Sequence, residues 1–155
     1  MGLDMYLSRK SYIGNEYRRD EPLLTLSGNK TDCLSGKPLN IKDERISYII
    51  ERVGYWRKAN HIHKWFVEKV QNGVDECHES PVGREALQEL FDACKQALTD
   101  HNEAPTILPT QGGFFFGSTD YDEGYWQDIQ DTIEILEPIL GDADDQGEYF
   151  YRSSW

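Results

Sequence analysis

The chain has 155 residues, of which 12% are aromatic and 28% are charged, and its formal net charge is −12. This length and aromatic content argue against disorder and predict one domain over residues 1–155 that buries a core without metal or disulfide support. No apolar run approaches the roughly 20 residues of a membrane span. The three cysteines form no CxxC pair, so neither a disulfide scaffold nor a zinc site is expected.

The negative charge is concentrated in the C-terminal third. Residues 1–95 carry 15 acidic and 15 basic residues, whereas residues 96–151 carry 13 acidic residues and no Lys or Arg. Such a surface either keeps a small protein in solution or imitates nucleic-acid phosphates toward a basic partner. Direct nucleic-acid binding is disfavoured, because it depends on Lys and Arg that neutralise phosphates. Six acidic residues are expected to be exposed and without a catalytic role: Asp128, Asp131, Glu134, Asp142, Asp144 and Asp145.

Hydrophobic periodicity in the N-terminal third predicts a strand, a hairpin and a helix. Residues 3–13 alternate apolar and polar side chains, as a half-buried strand does. Residues 23–26 and 33–41 flank turn-forming residues and are predicted to form a hairpin or two short strands. Asp43 is predicted to cap a helix, interrupted at Gly54, with apolar positions Ile46, Ile49, Ile50 and Val53.

The remainder is predicted to contain three more helices and two strands. Helices are expected over about residues 55–70, from Ser80-Pro81 onward, and from Asp120 or Asp122 onward. The last has an apolar stripe at Trp126, Ile129, Ile133, Leu136 and Leu140. Residues 114–116 are predicted to form a buried strand, and residues 148–155 a terminal strand that pairs with the first. Because these elements are not in regular βαβ order, the fold is predicted to be α+β, a single domain with a small, mostly antiparallel sheet packed with about four helices.

Residues 54–67 hold the densest group of functional side chains. On a helical wheel, Trp56, Asn60 and His63 border the core, and they offer a stacking ring, amide hydrogen bonds and a titratable proton. These groups suit a cleft wall, and the alternative is that they are packed structural residues. The opposite face is expected to be solvated and comprises Arg57, His61, Lys64 and Glu68.

A second candidate segment covers residues 108–121. Its glycines allow close approach of the backbone to a ligand, and Ser118, Thr119 and Asp120 precede a helix N-terminus that can hold an anion. It is neither a Walker loop nor a dinucleotide fingerprint, and the alternative is a turn, a core strand and an ordinary N-cap. Together the two segments predict a ligand-binding cleft, with no metal, cofactor or catalytic residue assigned, formed by Trp56, Arg57, Asn60, His63, Gln111, Gly113, Ser118, Thr119 and Tyr121.

Four motifs resemble a family of small proteins from phages and prophages. They are the opening MGLDMYL, the central VGYWRKANxIHxWFV, the LPTQxGFFFGSTxYDE block and the aromatic C-terminal strand. The resemblance covers nearly the whole chain except residues 14–41. It implies the cytoplasm of a bacterial host cell and an accessory role such as counter-defence.

The sequence is compatible with three functions. The first is a binding protein that captures a small polar ligand, such as a nucleotide or a nucleotide-derived signal, without turnover. The second is an acidic protein–protein inhibitor that imitates nucleic acid and occupies a host defence protein. The third is a small hydrolase with His63 as the general base.

Overall fold

Period-two alternation builds the strands at both ends of the chain. The computed structural model describes residues 2–17, 20–28 and 30–155. Leu3, Met5 and Leu7 are fully buried at the start of β1 (Asp4–Tyr12), and alternate residues of β4 (Glu148–Ser154) are buried from Tyr149 onward. The two predicted terminal strands are therefore confirmed.

These strands lie side by side in a four-stranded antiparallel sheet. With β2 (Tyr48–Arg57) and β3 (Ser80–Val82), the strand order among the described residues is β2-β1-β4-β3. The pairing of the first and last strands is thus confirmed. The sheet and helices together confirm the predicted α+β fold.

Four α-helices are present in the described part of the chain: α1 (Asn60–Lys69), α2 (Arg84–Thr99), α3 (Ala104–Ile107) and α4 (Glu123–Gly141). Helix α4 begins where the sequence predicts, because the Asp122 carboxylate accepts a hydrogen bond from the Tyr125 backbone N–H at 3.1 Å. Its predicted stripe packs into the core through Ile129, Ile133 and Leu136. Helix α2 packs against α4.

The prediction of a helix over residues 43–53 is wrong. Only Asp43–Arg45 form a 3-10 turn, and the following residues extend into β2. The Ile- and Val-rich run satisfies a helical period, but β-branched side chains favour extended backbone. Gly54 lies buried in this strand, where a Cβ atom would stand 2.9 Å from Ile135 Cγ2. The glycine therefore permits close packing of α4 on β2.

Two other helix starts fall later than predicted. Residues 55–57 belong to β2, and α1 begins at Asn60. Ser80 and Pro81 lie in β3, which pairs with β4 at the edge of the sheet, where a residue without an N–H is tolerated. Helix α2 then begins at Arg84.

Residues 114–116 form a turn, so the predicted buried strand is wrong. Phe114 is 96% exposed, whereas Phe116 is 7% exposed and joins the core. A run of three apolar residues is too short to show a strand period, and its side chains can be buried in some positions and exposed in others.

The described residues form two compact units, one from residues 1–9 and 51–155 and the other from residues 10–50. In the second unit, the two predicted short strands are replaced by an irregular segment with one bridge between Thr31 and Pro38. Buried Asn15 stabilises this segment by donating to the carbonyls of Leu24 (2.6 Å) and Asp43 (2.9 Å). Among the described helices, none has the length and apolar character needed to cross a membrane.

Candidate functional site

A cleft of about 240 Å³ lies between the β2–α1 junction and the first turns of α4. Two cations line it from the junction, and three aspartates line it from the α4 side. Its lining residues are Arg57, Lys58, Asn60, His61, Gly117, Ser118, Asp120, Asp122, Gly124, Tyr125 and Asp128. The cleft thus joins the two segments that the sequence singles out.

Close approach of two backbone segments builds one wall of the cleft. Lys58 has φ of 61°, a left-handed conformation that is uncommon outside glycine. Gly117 has φ of 88°, and a Cβ atom there would lie 3.0 Å from Lys58 Cβ. Glycine at 117 therefore relieves both backbone strain and a steric conflict with Lys58.

Asn60, at the start of α1, forms hydrogen bonds with the backbone of the 111–118 loop. Its amide nitrogen donates to the carbonyls of Phe116 (3.0 Å) and Ser118 (2.7 Å). Its amide oxygen accepts from the Gln111 backbone N–H at 2.9 Å. The predicted proximity of Asn60 to this loop is present, but the amide is fully engaged in holding the cleft wall.

His61 is 2% exposed, so the expectation of a solvated residue is wrong. Its ring lies against the Tyr125 ring, with centroids 4.2 Å apart. No described residue hydrogen-bonds to its Nε2 atom. Burial lowers the pKa of His61 to about 3, so the ring is neutral at pH 7. The helical wheel misplaces His61 because α1 is covered on most sides, whereas the wheel assumes one buried face.

Asp128 is half-buried in the same cleft, which corrects the expectation that it is exposed. Burial, with smaller contributions from Asp131 and Asp122, raises its pKa to about 7. Its carboxyl group is therefore partly protonated near neutral pH and can donate as well as accept a hydrogen bond. Perturbed titratable groups gathered in a cleft are characteristic of functional sites.

The prediction of exposure is also wrong for Asp145, outside the cleft. Its side chain is 2% exposed, and it accepts hydrogen bonds from Arg9 and the Tyr149 hydroxyl. The hydrogen bond from Arg9 is the main reason why the pKa of Asp145 lies well below its usual range. Asp131, Glu134, Asp142 and Asp144 are exposed as predicted.

His63 is fully buried and belongs to a different network. Its Nε2 lies 2.9 Å from Asp75 Oδ2, and its Nδ1 lies 2.7 Å from the Tyr151 hydroxyl. Pairing with the carboxylate assigns the proton to Nε2, so that Nδ1 accepts from the tyrosine. Asp75 also accepts from Trp155 Nε1 at 3.0 Å. Both ring nitrogens are engaged, and the network ties α1 to β4.

Trp56 lies in the core rather than in the cleft wall. It is 3% exposed, and its Nε1 donates to Thr132 Oγ1 at 2.8 Å. Its ring also packs near the Phe66 ring, with a centroid distance of 6.0 Å. This environment fits the structural interpretation left open by the sequence.

The remaining predicted residues divide between the cleft and its supports. Arg57 and Ser118 line the cleft. Gly113 lies against Phe116, whose ring atoms would be 2.7 Å from a Cβ at 113. The Thr119 carbonyl accepts from Thr110 Oγ1 at 3.0 Å, and the Tyr121 ring packs on Tyr125 with a centroid distance of 4.8 Å.

The site predicted from the sequence omits several lining residues, among them Lys58, His61, Tyr125 and Asp128. Asp128 follows Asp122 by six residues on α4, and no local pattern distinguishes it from the solvated acidic residues. No group of three or more His, Cys, Asp or Glu in the described chain has an arrangement that holds a metal ion. Comparison with family models, curated proteins and solved structures finds no match.

Proposed function

We propose that the protein binds a small polar ligand of nucleoside or nucleotide type in the cleft at the β2–α1 junction, without turnover. The observation that carries the proposal is His61, a lining residue of this cleft whose buried Nε2 has no hydrogen-bond partner among the described residues. An unsatisfied buried polar group costs about 1–3 kcal/mol. A ligand that hydrogen-bonds to Nε2 recovers that cost. The phage or prophage origin and the counter-defence role implied by the resemblance are part of this proposal.

Asp128 and His61 suit the hydrogen-bonding edge of a nucleobase. Such an edge presents donors and acceptors side by side, and a carboxyl group beside a neutral imidazole matches that alternation. Asp128 accepts from two donors when ionised, and it donates one hydrogen bond when protonated. Tyr125 supplies the aromatic surface of the cleft in place of Trp56, which is buried elsewhere.

The charges at the cleft favour a ligand with few negative groups. Arg57 and Lys58 line one side and suit a single phosphate or carboxylate. Asp120 and Asp122 line the other side and repel a polyanion. The volume of about 240 Å³ lies below the usual range of about 300–1,000 Å³ for ligand pockets. A nucleoside or nucleoside monophosphate therefore fits the proposal better than a triphosphate.

The test measures thermal midpoints in the presence of the four ribonucleosides and their 5′-monophosphates, followed by calorimetric titration of any compound that stabilises the chain. At least one compound is expected to raise the midpoint of the wild-type protein. His61→Phe keeps an aromatic ring against Tyr125 but removes both ring nitrogens, including the unpartnered Nε2, and Asp128→Asn removes the titratable carboxyl. Each variant is expected to weaken binding by about tenfold or more, because one hydrogen bond to a buried group is lost.

Two matched variants control for general effects. His101 stacks on the Trp126 ring with centroids 3.9 Å apart and is exposed outside the cleft, so His101→Phe is expected to retain binding. Asp131 is exposed on the same helix as Asp128, so Asp131→Asn is expected to do the same. Equal binding by His61→Phe and His101→Phe, or no stabilisation by any of these compounds, would contradict the proposal.

Hydrolysis of the bound ligand is a second candidate, and Asp128 is the observation that favours it. General acid–base catalysis works best when the pKa of the group lies near the working pH, and that of Asp128 is about 7. The base considered from the sequence, His63, has both ring nitrogens occupied. Chromatography of the stabilising compound after incubation separates the candidates: product formed by the wild type and not by Asp128→Asn indicates a hydrolase, and unchanged compound indicates binding alone.

A further inference from the structure

Two arginines on the sheet line a second concavity, which shares no lining residue with the first. Arg52 of β2 and Arg152 of β4 line a depression of about 330 Å³ together with Tyr6 and Ser8 of β1, Ser154 of β4 and Glu79. In the strand order, β1 lies between β2 and β4. The strand between the two arginines therefore contributes Tyr6 and Ser8 to the same depression.

Neither guanidinium forms an ion pair with a described residue. Within the described residues, no carboxylate lies within ion-pairing distance of Arg52 or Arg152, although the chain has 28 Asp and Glu against 16 Lys and Arg. The two arginines repel each other, and Glu79, the one acidic residue of the lining, leaves the depression with a net positive charge. An anion bound between the two arginines would relieve that repulsion.

Part of this arrangement is held in place before any ligand binds. The Arg52 guanidinium lies over the Tyr6 ring, 4.7 Å from its centroid, and Tyr6 in turn packs against Tyr55 with a centroid distance of 5.5 Å. Adjacent strands stand about 4.8 Å apart, so side chains from β2 and β4 are separated by about 10 Å at their bases. Long arginine side chains can close that gap around one tetrahedral oxyanion.

We propose that Arg52 and Arg152, with the hydroxyl groups of Ser8 and Ser154, form a binding site for a small phosphate-bearing molecule on the sheet. Guanidinium groups donate pairs of parallel hydrogen bonds that match phosphate oxygens, and the serines add neutral donors. Glu79 on the rim disfavours a polyphosphate and favours a monoester whose organic part carries a hydroxyl or amino donor. This site is independent of the cleft at the β2–α1 junction.

The test is a titration of the intact ¹⁵N-labelled protein with inorganic phosphate at constant ionic strength, followed through the arginine Nε–Hε signals. Saturable shifts of the Arg52 and Arg152 signals are expected. Arg52→Gln and Arg152→Gln should each weaken phosphate binding by about tenfold, since each removes one charged donor pair. Lys95→Gln is the matched control, because Lys95 also lies over an aromatic ring, that of Phe91 at 4.5 Å, but on α2. It should bind phosphate as the wild type does.

Each outcome decides the proposal. Non-saturating shifts, or binding by both arginine variants equal to that of Lys95→Gln, would overturn it. Succinate serves as a second anion, and binding of succinate as tight as that of phosphate would overturn the assignment to phosphate. Both arginines are exposed, so unchanged thermal midpoints of the variants are expected and separate loss of binding from loss of folding.

Discussion

Asp128 and His61 share a cleft, but burial shifts their pKa values in opposite directions. The pKa of Asp128 rises to about 7 and that of His61 falls to about 3. An unfolded chain titrates these groups near 4 and 6.5. Between about pH 4 and 7 the folded state therefore binds more protons at Asp128 than the unfolded state does. Because of this difference, the free energy of unfolding falls as pH rises through that window. For His61 the unfolded state holds the extra proton, so that free energy rises with pH between about 3 and 6.5.

Asp128→Asn should remove the first of these two dependences. We expect the difference in free energy of unfolding, variant minus wild type, to increase by about 1 kcal/mol from pH 5 to pH 8. This value is smaller than the full pKa shift would give, because the Asp128 side chain is partly exposed to solvent. Urea denaturation at the two pH values measures this difference. Asp131→Asn, with an exposed carboxylate on the same helix, should show no such change. Parallel pH profiles for Asp128→Asn and the wild type would show that burial does not penalise this carboxylate.

The elements differ in how much their sequences reveal. Helix α4 is predictable because Asp122 provides a cap and the apolar residues recur every three or four positions. The terminal strands are predictable because buried and exposed side chains alternate strictly in β4. Strand β2 is not, because its Ile and Val residues satisfy a helical period while their β-branching favours extended backbone. Tertiary packing decides the outcome, as the contact of Gly54 with Ile135 shows.

The candidate site is predictable only in part for a related reason. Sequence patterns identify the two segments that meet and place Arg57, Asn60 and Ser118 correctly among them. They do not show that His61 is buried, because contacts from the 117–128 region cover the side of α1 that a helical wheel assigns to solvent. Asp128 is missed because its environment comes from residues distant in sequence.

Asn60 couples α1 to the 111–118 loop, and Asn60→Ala should uncouple them. The change leaves the Gln111 N–H and the carbonyls of Phe116 and Ser118 without their partner, so we expect a loss of about 2–3 kcal/mol in the free energy of unfolding. Hydrogen exchange at the Gln111 amide should accelerate as well. Asn102→Ala, at an exposed asparagine, is the control and should change neither quantity. Unchanged protection of Gln111 in Asn60→Ala would show that the loop is held by other contacts.

For the whole molecule, the acidic surface and the cleft support different functions. The outward side of α4 carries exposed Glu123, Asp131, Glu134 and Glu137, which suit an acidic inhibitor of a basic partner protein. Binding through such a surface weakens steeply with salt. The proposed binding in the cleft would use the buried His61 ring and the half-buried Asp128 carboxyl, so it should depend less on salt. The salt dependence of binding therefore separates the two functions.

Native mass spectrometry of the intact protein, gently purified from bacterial cells, distinguishes ligand binding in the cleft from inhibition through the acidic surface. We expect a small-molecule adduct of nucleoside or nucleotide composition on the wild type and on His101→Phe. Loss of that adduct is expected from His61→Phe, which keeps an aromatic ring at position 61 but lacks the ring nitrogens, including the buried Nε2. A wild-type chain without any adduct that instead co-purifies with a basic protein, released by salt, would contradict ligand binding in the cleft and favour the acidic inhibitor.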